Sequence, residues 1–222
     1  MAVITLSREF GSGGRMIARR VCEALDYRFF DKQLIMQVAA EIGLSEADIV
    51  DYPERHYKVK SLRDRLAAAF GSGARGGEAK ATVPTLTWGG LEARMDEDWC
   101  VELVNDTIRS AYKQGNVVIL GRGGQAVLRD MPGVLHVRVK APLETRLRRL
   151  QEVEGLDRRE ARRQIARHDQ DSARYLKRVF NVDWDDPFLY HLIINTGRWE
   201  PEAAAQLVVD AARQLAAEPA PA

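Results

Sequence analysis

A glycine-rich segment near the amino terminus is the first feature of the sequence that could do chemistry. Residues 7–15 read SREFGSGGR and follow the β-branched run VITL at residues 3–6. Apolar residues at helical spacing begin directly after the glycines. In a strand–loop–helix unit of this kind, backbone N–H groups turn inward around an anion and the helix N-terminus adds the positive end of its dipole. The segment therefore predicts a phosphate cradle made by Gly11, Ser12, Gly13, Gly14 and Arg15.

The cradle departs from the usual phosphate-loop pattern, Gly-x-x-x-x-Gly-Lys-Ser/Thr. Glu9 stands at the first glycine, Arg15 at the lysine and Met16 at the hydroxyl residue. An arginine can hold a phosphate through two parallel hydrogen bonds, so Arg15 is a candidate for contact with the transferred phosphate. A glycine-rich turn without a ligand is the alternative, whereas the glycine spacing does not suit a dinucleotide-binding loop.

A second group of charged residues lies in an arginine-rich stretch at residues 158–178. Arg167, Asp171 and Arg174 are four and three residues apart, so on a helix they project from one side. Asp171 can orient the two guanidinium groups towards a shared anion, and such a pair would neutralise phosphate oxygens during phosphoryl transfer. A solvated helix face with internal ion pairs is the alternative that the local sequence leaves open.

Two further candidates follow predicted strands. Arg122 lies in the turn GRGG at residues 121–124, after the buried-strand pattern of residues 117–120, and Asp31 follows a short strand pattern at residues 27–30. Open α/β sheets bind ligands at the carboxyl ends of their strands. Arg122 is therefore a candidate for binding the phosphate of an acceptor, and Asp31 for holding another part of it. A simple turn and a helix cap are the respective alternatives.

The elements that must position these residues alternate between strands and helices. Strands are predicted at residues 3–6, 27–30, 117–120, 134–139 and 192–194, and helices at 142–153, 158–179 and 201–216. This alternation predicts an α/β fold with a five-stranded parallel sheet and helices on both faces. We expect one domain, 1–222, with an inserted lobe at about 37–95, a lid at about 155–182 and a disordered tail at about 217–222.

The composition narrows the classes of partner. The 222 residues include 33 basic and 32 acidic side chains, a net charge of +1, so no global field favours nucleic acid or a membrane surface. The two cysteines and four histidines show no metal-site spacing. No apolar run is long enough to cross a bilayer and no signal peptide is recognisable. We expect a cytoplasmic protein that acts on small molecules; its oligomeric state is not legible from the sequence.

Taken together, these motifs resemble the cytidylate kinase-like family of P-loop nucleoside monophosphate kinases. The likeness covers most of the chain outside residues 40–95, and the motifs that carry it are SREFGSGGR at residues 7–15, Phe30-Asp31, Gly121-Arg122, Arg167-x-x-x-Asp171-x-x-Arg174 and IINT at residues 193–196. The resemblance implies a P-loop NTPase fold with a helical lid and an acceptor-binding lobe. It also implies ATP and Mg²⁺ as cofactors and CMP or dCMP as acceptor.

By matching positions, the resemblance implies a role for each candidate residue. The backbone of residues 11–14 and the side chain of Arg15 would hold the donor phosphates. Arg167 and Arg174 would bridge donor and acceptor phosphates. The acceptor nucleotide would be faced by three side chains: Arg122, Asp31 and Asp171.

The sequence departs from the family pattern at other positions. Ile17 replaces a threonine of the loop, and Lys32 and Gln37 replace a serine and an arginine after the acceptor-site aspartate. The metal ligand is therefore unknown, with Ser7 and Ser12 as candidates for a hydroxyl ligand. We predict a cytidylate kinase-like enzyme, with two alternatives: a kinase of another small metabolite, or a catalytically weak nucleotide-binding regulatory module.

Overall fold

A parallel sheet forms the centre of the structure. The structure is a computed structural model that describes residues 2–31 and 97–217. Its strands in the order β2-β3-β1-β4-β5 are all parallel to their neighbours. They are β1 (Val3–Arg8), β2 (Arg28–Phe30), β3 (Val117–Leu120), β4 (Val134–Lys140) and β5 (Leu192–Asn195). The predicted five-stranded parallel sheet is confirmed.

Helices connect the strands, and the three predicted at residues 142–153, 158–179 and 201–216 are present with ends that differ by at most one residue. They are α1 (Gly14–Leu25), α2 (Glu97–Gln114), α3 (Gly124–Val127), α4 (Leu143–Glu154), α5 (Arg158–Phe180) and α6 (Pro201–Ala217), together with a 3-10 turn at Pro187–Leu189. The short helix α3 was not predicted, because the sequence there indicated only a glycine turn. It begins where the N–H of Gly124 binds the carbonyl of Gly121 at 3.0 Å.

The core follows from the alternation of side chains along β1. Ile4 and Leu6 face one side of the sheet and belong to a cluster that includes Ile17 of α1 and Val208 of α6, all fully or almost fully buried. Each such side chain contributes about 1.5–3 kcal/mol by leaving water. Thr5 faces the other side, where Gly124 at the start of α3 packs against it. Helices therefore cover both faces, and the carboxyl ends of β1, β2 and β3 share one edge.

The chain divides into two compact units, residues 1–33 with 111–222 and residues 34–110. The first contains the whole sheet and the candidate residues discussed below. Of the second, only residues 97–110 are described, as the first part of α2. The predicted inserted lobe at 37–95 lies outside the described residues, as do Lys32, Gln37 and the tail beyond residue 217. Within the described ranges, no helix is both long and apolar enough to span a membrane.

Candidate active site

The glycine-rich loop connects β1 to α1 as predicted. The strand ends at Arg8 and the helix begins at Gly14. Gly11 and Gly13 have left-handed backbone angles, φ +77° and +83°, which a side chain would strain. No side chain caps the start of α1, where Gly13 is the N-cap residue. The first N–H groups of the helix are therefore available to an anion, as the cradle prediction requires.

Side chains from later elements hold this loop in shape. Arg149 of α4 donates to the carbonyl oxygens of Ser12 and Thr196 at 2.9 and 2.7 Å, and the Thr196 hydroxyl donates to the Ser12 carbonyl at 2.6 Å. The Ser12 hydroxyl donates to the Glu9 carbonyl at 2.7 Å and is buried. The Ser12 backbone N–H donates to the same carbonyl at 3.2 Å. Both donors of Ser12 thus stabilise the turn, and its predicted contact with the donor phosphates stays a prediction.

The oxygen atoms near the loop do not fit a magnesium ion held by the protein. Besides Ser12, the other hydroxyl candidate is Ser7, which is buried and accepts hydrogen bonds from Arg138 and the Trp184 indole N–H at 3.0 and 2.9 Å. The Glu9 carboxylate accepts from the Ala141 N–H at 3.0 Å. Mg²⁺ in kinase sites is bound through few protein oxygens together with substrate phosphates and waters. The residues described here offer it no uncommitted hydroxyl in the loop, and the metal ligand remains unassigned.

Arg15 and Asp31, which the sequence analysis placed on the donor and acceptor sides, form an ion pair. Arg15 Nη2 lies 2.6 Å from Asp31 Oδ2. The Asp31 side chain is 7% exposed at the end of β2, whereas that of Arg15 is 45% exposed. Asp31 is therefore fixed by burial, whereas the guanidinium of Arg15 is exposed enough to contact a ligand. Their contact places both residues at one edge of the sheet.

Arg122 stands in a strained turn at the end of β3. Its φ is +55°, between +76° at Gly121 and +72° at Gly123, so three consecutive residues are left-handed. This conformation costs a non-glycine residue about 1–2 kcal/mol. A Cβ on Gly123 would lie 2.7 Å from the Phe180 ring of α5, so the turn is tightly packed. Burial lowers the pKa of Arg122, while the nearby Tyr175 and Asp31 act in the opposite direction.

Arg8, which was not among the predicted site residues, belongs to the same group. Its side chain passes over Gly14 and reaches Gly121, as the close approaches to both glycines show. Burial lowers the pKa of Arg8, and so do the charges of Arg122 and Arg15, while Asp31 opposes them. Its position as the last residue of β1, inside the predicted cradle, was the signal that could have identified it.

The lid residues lie on α5 but remain in solvent. Arg167 Nε is 3.8 Å from Asp171 Oδ2, with the two side chains 83% and 58% exposed. Arg174 is also exposed. Within the described residues, no hydrogen bond or ion pair joins any of the three to the loop or to Arg122. The structure confirms their common helix and leaves their catalytic role a prediction.

A different part of α5 contacts the loop. Asp169 accepts a hydrogen bond from the Phe10 N–H at 2.9 Å and pairs with Arg146 of α4. The Phe10 ring stacks on His168 at 4.2 Å between centroids. Asp169 was not predicted from the sequence, because one more carboxylate in a charged helix carries no local signal of a partner distant in sequence.

Comparison with known proteins shows where this architecture occurs. The model of the cytidylate kinase-like family matches residues 3–198. The cytidylate kinase of Methanocaldococcus jannaschii is 24% identical over 216 residues, which cover 96% of this chain and 98% of that protein. The cytidylate kinase of Methanothrix thermoacetophila is 28% identical over 215 residues, which cover 96% and 99%.

Solved structures share the fold at lower identity. An uncharacterized protein from Eubacterium ventriosum has a TM-score of 0.63 at 18% identity, over 96% of this chain and 99% of that chain. Shikimate kinase from Acinetobacter baumannii in complex with shikimate has a TM-score of 0.50 at 13% identity, over 98% and 96%. At these identities the likeness shows the fold alone, an α/β fold with a parallel sheet.

Proposed function

The chain belongs to the cytidylate kinase-like family of phosphotransferases, and we propose that it transfers the γ-phosphoryl group of ATP to a nucleoside monophosphate, with CMP or dCMP as first candidates. The observation that supports this reaction is the convergence of three features at the carboxyl ends of neighbouring strands. The glycine loop follows β1, Asp31 paired with Arg15 follows β2, and Arg122 follows β3. A cradle for one anion thus lies beside cations for a second.

The proposed reaction is an in-line displacement between two phosphates. An oxygen of the acceptor phosphate forms a bond to the γ-phosphorus of ATP, and the bond from that phosphorus to the β–γ bridging oxygen breaks, which releases ADP. The acceptor phosphate is largely dianionic near neutral pH, so it needs little help from a general base. The main obstacle is repulsion between anions, which positioned arginines reduce.

Each candidate residue has a role in this proposal. The backbone of the loop binds the donor phosphates. Arg15 binds phosphate oxygens from its pair with Asp31, whose carboxylate faces the acceptor, and Arg122 binds the acceptor phosphate. Arg167 and Arg174, held by Asp171, neutralise charge in the transition state. Because the lid arginines are exposed, the proposal requires that α5 or its neighbours close on the bound nucleotides.

The test is an ADP-release assay with ATP, magnesium and a panel of acceptors. The panel contains CMP, dCMP, UMP, AMP, GMP and small metabolites that carry a hydroxyl group. We expect the highest kcat/KM with CMP or dCMP. Turnover only with a non-nucleotide acceptor would replace the proposal by a kinase of another metabolite. ATP binding without turnover on any acceptor would indicate a regulatory nucleotide-binding module.

A further inference from the structure

The loop can be aligned with the phosphate-loop pattern in two ways. If Gly14 is the second glycine of Gly-x-x-x-x-Gly-Lys, the lysine position falls on Arg15. If Gly13 is the second glycine, the first glycine falls on Arg8 and the lysine position on Gly14. In the structure, Gly13 is the N-cap residue and Gly14 the first residue of α1, while Arg8 is the last residue of β1. Packing at Gly14 and Arg8 distinguishes the two readings.

Gly14 is a glycine because of space. Its φ is not positive, so its backbone conformation suits any residue. A Cβ at this position would lie 2.7 Å from Arg8 Cβ, 3.0 Å from Arg8 Cγ and 3.3 Å from Leu6 Cδ2. The atoms of Arg8 are those nearest its backbone, so rotation of the outer side chain cannot move them away. Positions 8 and 14 therefore share one space that admits a single side chain.

The usual pattern and this chain fill that space in opposite ways. The usual pattern has glycine at the first position and a long cation at the start of the helix. This chain has a long cation at Arg8 and glycine at Gly14. Both arrangements send one positively charged side chain across the start of α1, from the strand in one case and from the helix in the other.

The charged end of Arg8 lies among other cations. A Cβ on Gly121 would lie 2.6 Å from Arg8 Nη1, so the guanidinium rests against the turn that carries Arg122. In the described part of the chain, no carboxylate is within ion-pair distance of Arg8. The carboxylate in its field is that of Asp31, which is bound by Arg15. A partly buried guanidinium in these surroundings is favourably placed to bind an anion.

We propose that Arg8 is the cation of the phosphate loop, and that it binds the phosphoryl group transferred from ATP in place of the usual lysine. This inference rests on the proposed function, since it requires nucleotide phosphates in the loop. In the same alignment Arg15 occupies the position of the usual Ser/Thr, and its side chain pairs with Asp31 at the end of β2. The loop thus keeps its positive charge, supplied by β1 instead of α1.

The first test measures nucleotide binding by isothermal titration calorimetry with ATP and with ADP, in the absence of acceptor. Arg8→Ala should weaken ATP binding about 10–100-fold, the scale for loss of one hydrogen-bonded contact with a charged group, and should weaken ADP binding less. Arg19→Ala removes an exposed arginine of α1 and is the matched control for net charge. Equal losses for ATP and ADP would assign Arg8 a structural role and overturn the proposal.

A second test exchanges the two positions. Arg8→Gly removes the cation, and Gly14→Lys alone should clash with Arg8. The double variant, Arg8→Gly with Gly14→Lys, restores the usual pattern and should bind ATP at least about tenfold more tightly than Arg8→Gly. A folded double variant that binds ATP no better than Arg8→Gly would contradict the exchange.

A conservative pair keeps the question decidable if the double variant fails to fold. Arg8→Lys retains the charge and should stay within about tenfold of the wild-type ATP affinity. Arg8→Gln retains most of the volume and should lose about as much affinity as Arg8→Ala. Equal ATP affinity of the Lys and Gln variants would overturn the proposal, because it would show that the charge is not used.

These outcomes can be separated from failure of the proposed function. If no acceptor is phosphorylated but ATP binding depends on the charge at Arg8, the acceptor assignment fails and the loop assignment stands. If CMP is phosphorylated equally well by the wild type and Arg8→Ala, the loop assignment fails and the acceptor assignment stands.

Discussion

Two groups of arginines in this protein differ in how they are held. The sheet-edge group, Arg8, Arg15 and Arg122, is positioned by packing against glycines, by the ion pair with Asp31 and by a strained turn. The lid group, Arg167 and Arg174, projects from α5 into solvent, with one long ion pair at 3.8 Å. The first group is preorganised for an anion, whereas the second must still be brought to one.

The difference also has an energetic side. Burial and repulsion by neighbouring arginines lower the pKa of Arg8, so the charge on Arg8 is costly for the protein without a ligand. The exposed lid arginines carry no such cost, because solvent screens their charge. A bound anion should therefore stabilise the sheet edge directly, while the lid must lose conformational entropy when it closes. The preorganised sheet-edge arginines and the adaptable lid arginines can therefore contribute differently to binding and release of the anion.

The largest expected effect is on catalysis by the lid. Arg174→Ala should lower kcat by about 10³-fold, the scale of a lost transition-state arginine, because we propose that Arg174 neutralises charge in the transition state. The free energy of unfolding should not change, since the side chain is exposed. Steady-state kinetics and urea denaturation measure both. Arg162→Ala, at an exposed arginine of the same helix, is the control; an unchanged kcat in Arg174→Ala would remove the lid from the mechanism.

The next largest effect is on binding at the sheet edge. Arg122→Gly should raise the KM for the acceptor about 10–100-fold, the value of one charged contact. It should not destabilise the protein, because glycine relieves the left-handed strain. Initial rates at varied acceptor concentration and a thermal melt measure the two quantities. A folded variant with wild-type KM would show that Arg122 holds no acceptor group, and the sheet edge would then be preorganised for the donor alone.

Two aspartates of α5 test the comparison within one helix. Asp169→Ala should lower the free energy of unfolding by about 1–3 kcal/mol, because Arg146 and the Phe10 N–H lose a partly buried partner. Asp171→Ala should change it by less than about 0.5 kcal/mol, since that side chain is exposed, and should lower kcat instead. Urea denaturation and kinetics of both variants distinguish the roles. Equal destabilisation by the two substitutions would show that the part of α5 that contacts the loop does not differ in this respect from its exposed part.

The smallest predicted effect is a pH dependence in the sheet. Burial, reinforced by His191, lowers the pKa of His136 from 6.5 to about 4. The folded state thus disfavours the protonated ring, so stability is complete above about pH 6.5 and falls as the pH decreases towards 4. At pH 5 the loss should be about 1–2 kcal/mol.

Urea denaturation at pH 7 and pH 5 measures this loss. His136→Gln should show a smaller difference between the two pH values, whereas His168→Gln, at the exposed histidine of the lid helix, should keep the difference of the wild type. If the lid variant removed the pH dependence instead, the titration would belong to the contact between α5 and Phe10.

The fold was predictable from local patterns to within one or two residues at most ends. The β-branched and glycine signals of residues 3–15 are local, and so is the helical spacing of apolar residues in α4, α5 and α6. The site was predictable in part. Asp31 and Arg122 follow strands, and in a parallel sheet this alone places both at one edge. Asp169 and Arg149 were not predictable, because their partners, Phe10 and Ser12, are distant in sequence.

By itself, the sequence determined the strand order along the chain, the glycine loop after β1 and the family. It also supplied the candidate cations Arg15, Arg122, Arg167 and Arg174. Only the tertiary structure decided which of these cations are held at the site and which stand in solvent. It also decided that Arg8 is in the position of the loop's cation. The reason is steric: Arg8 and Gly14 compete for one space, and this competition exists only after β1 and α1 have packed together.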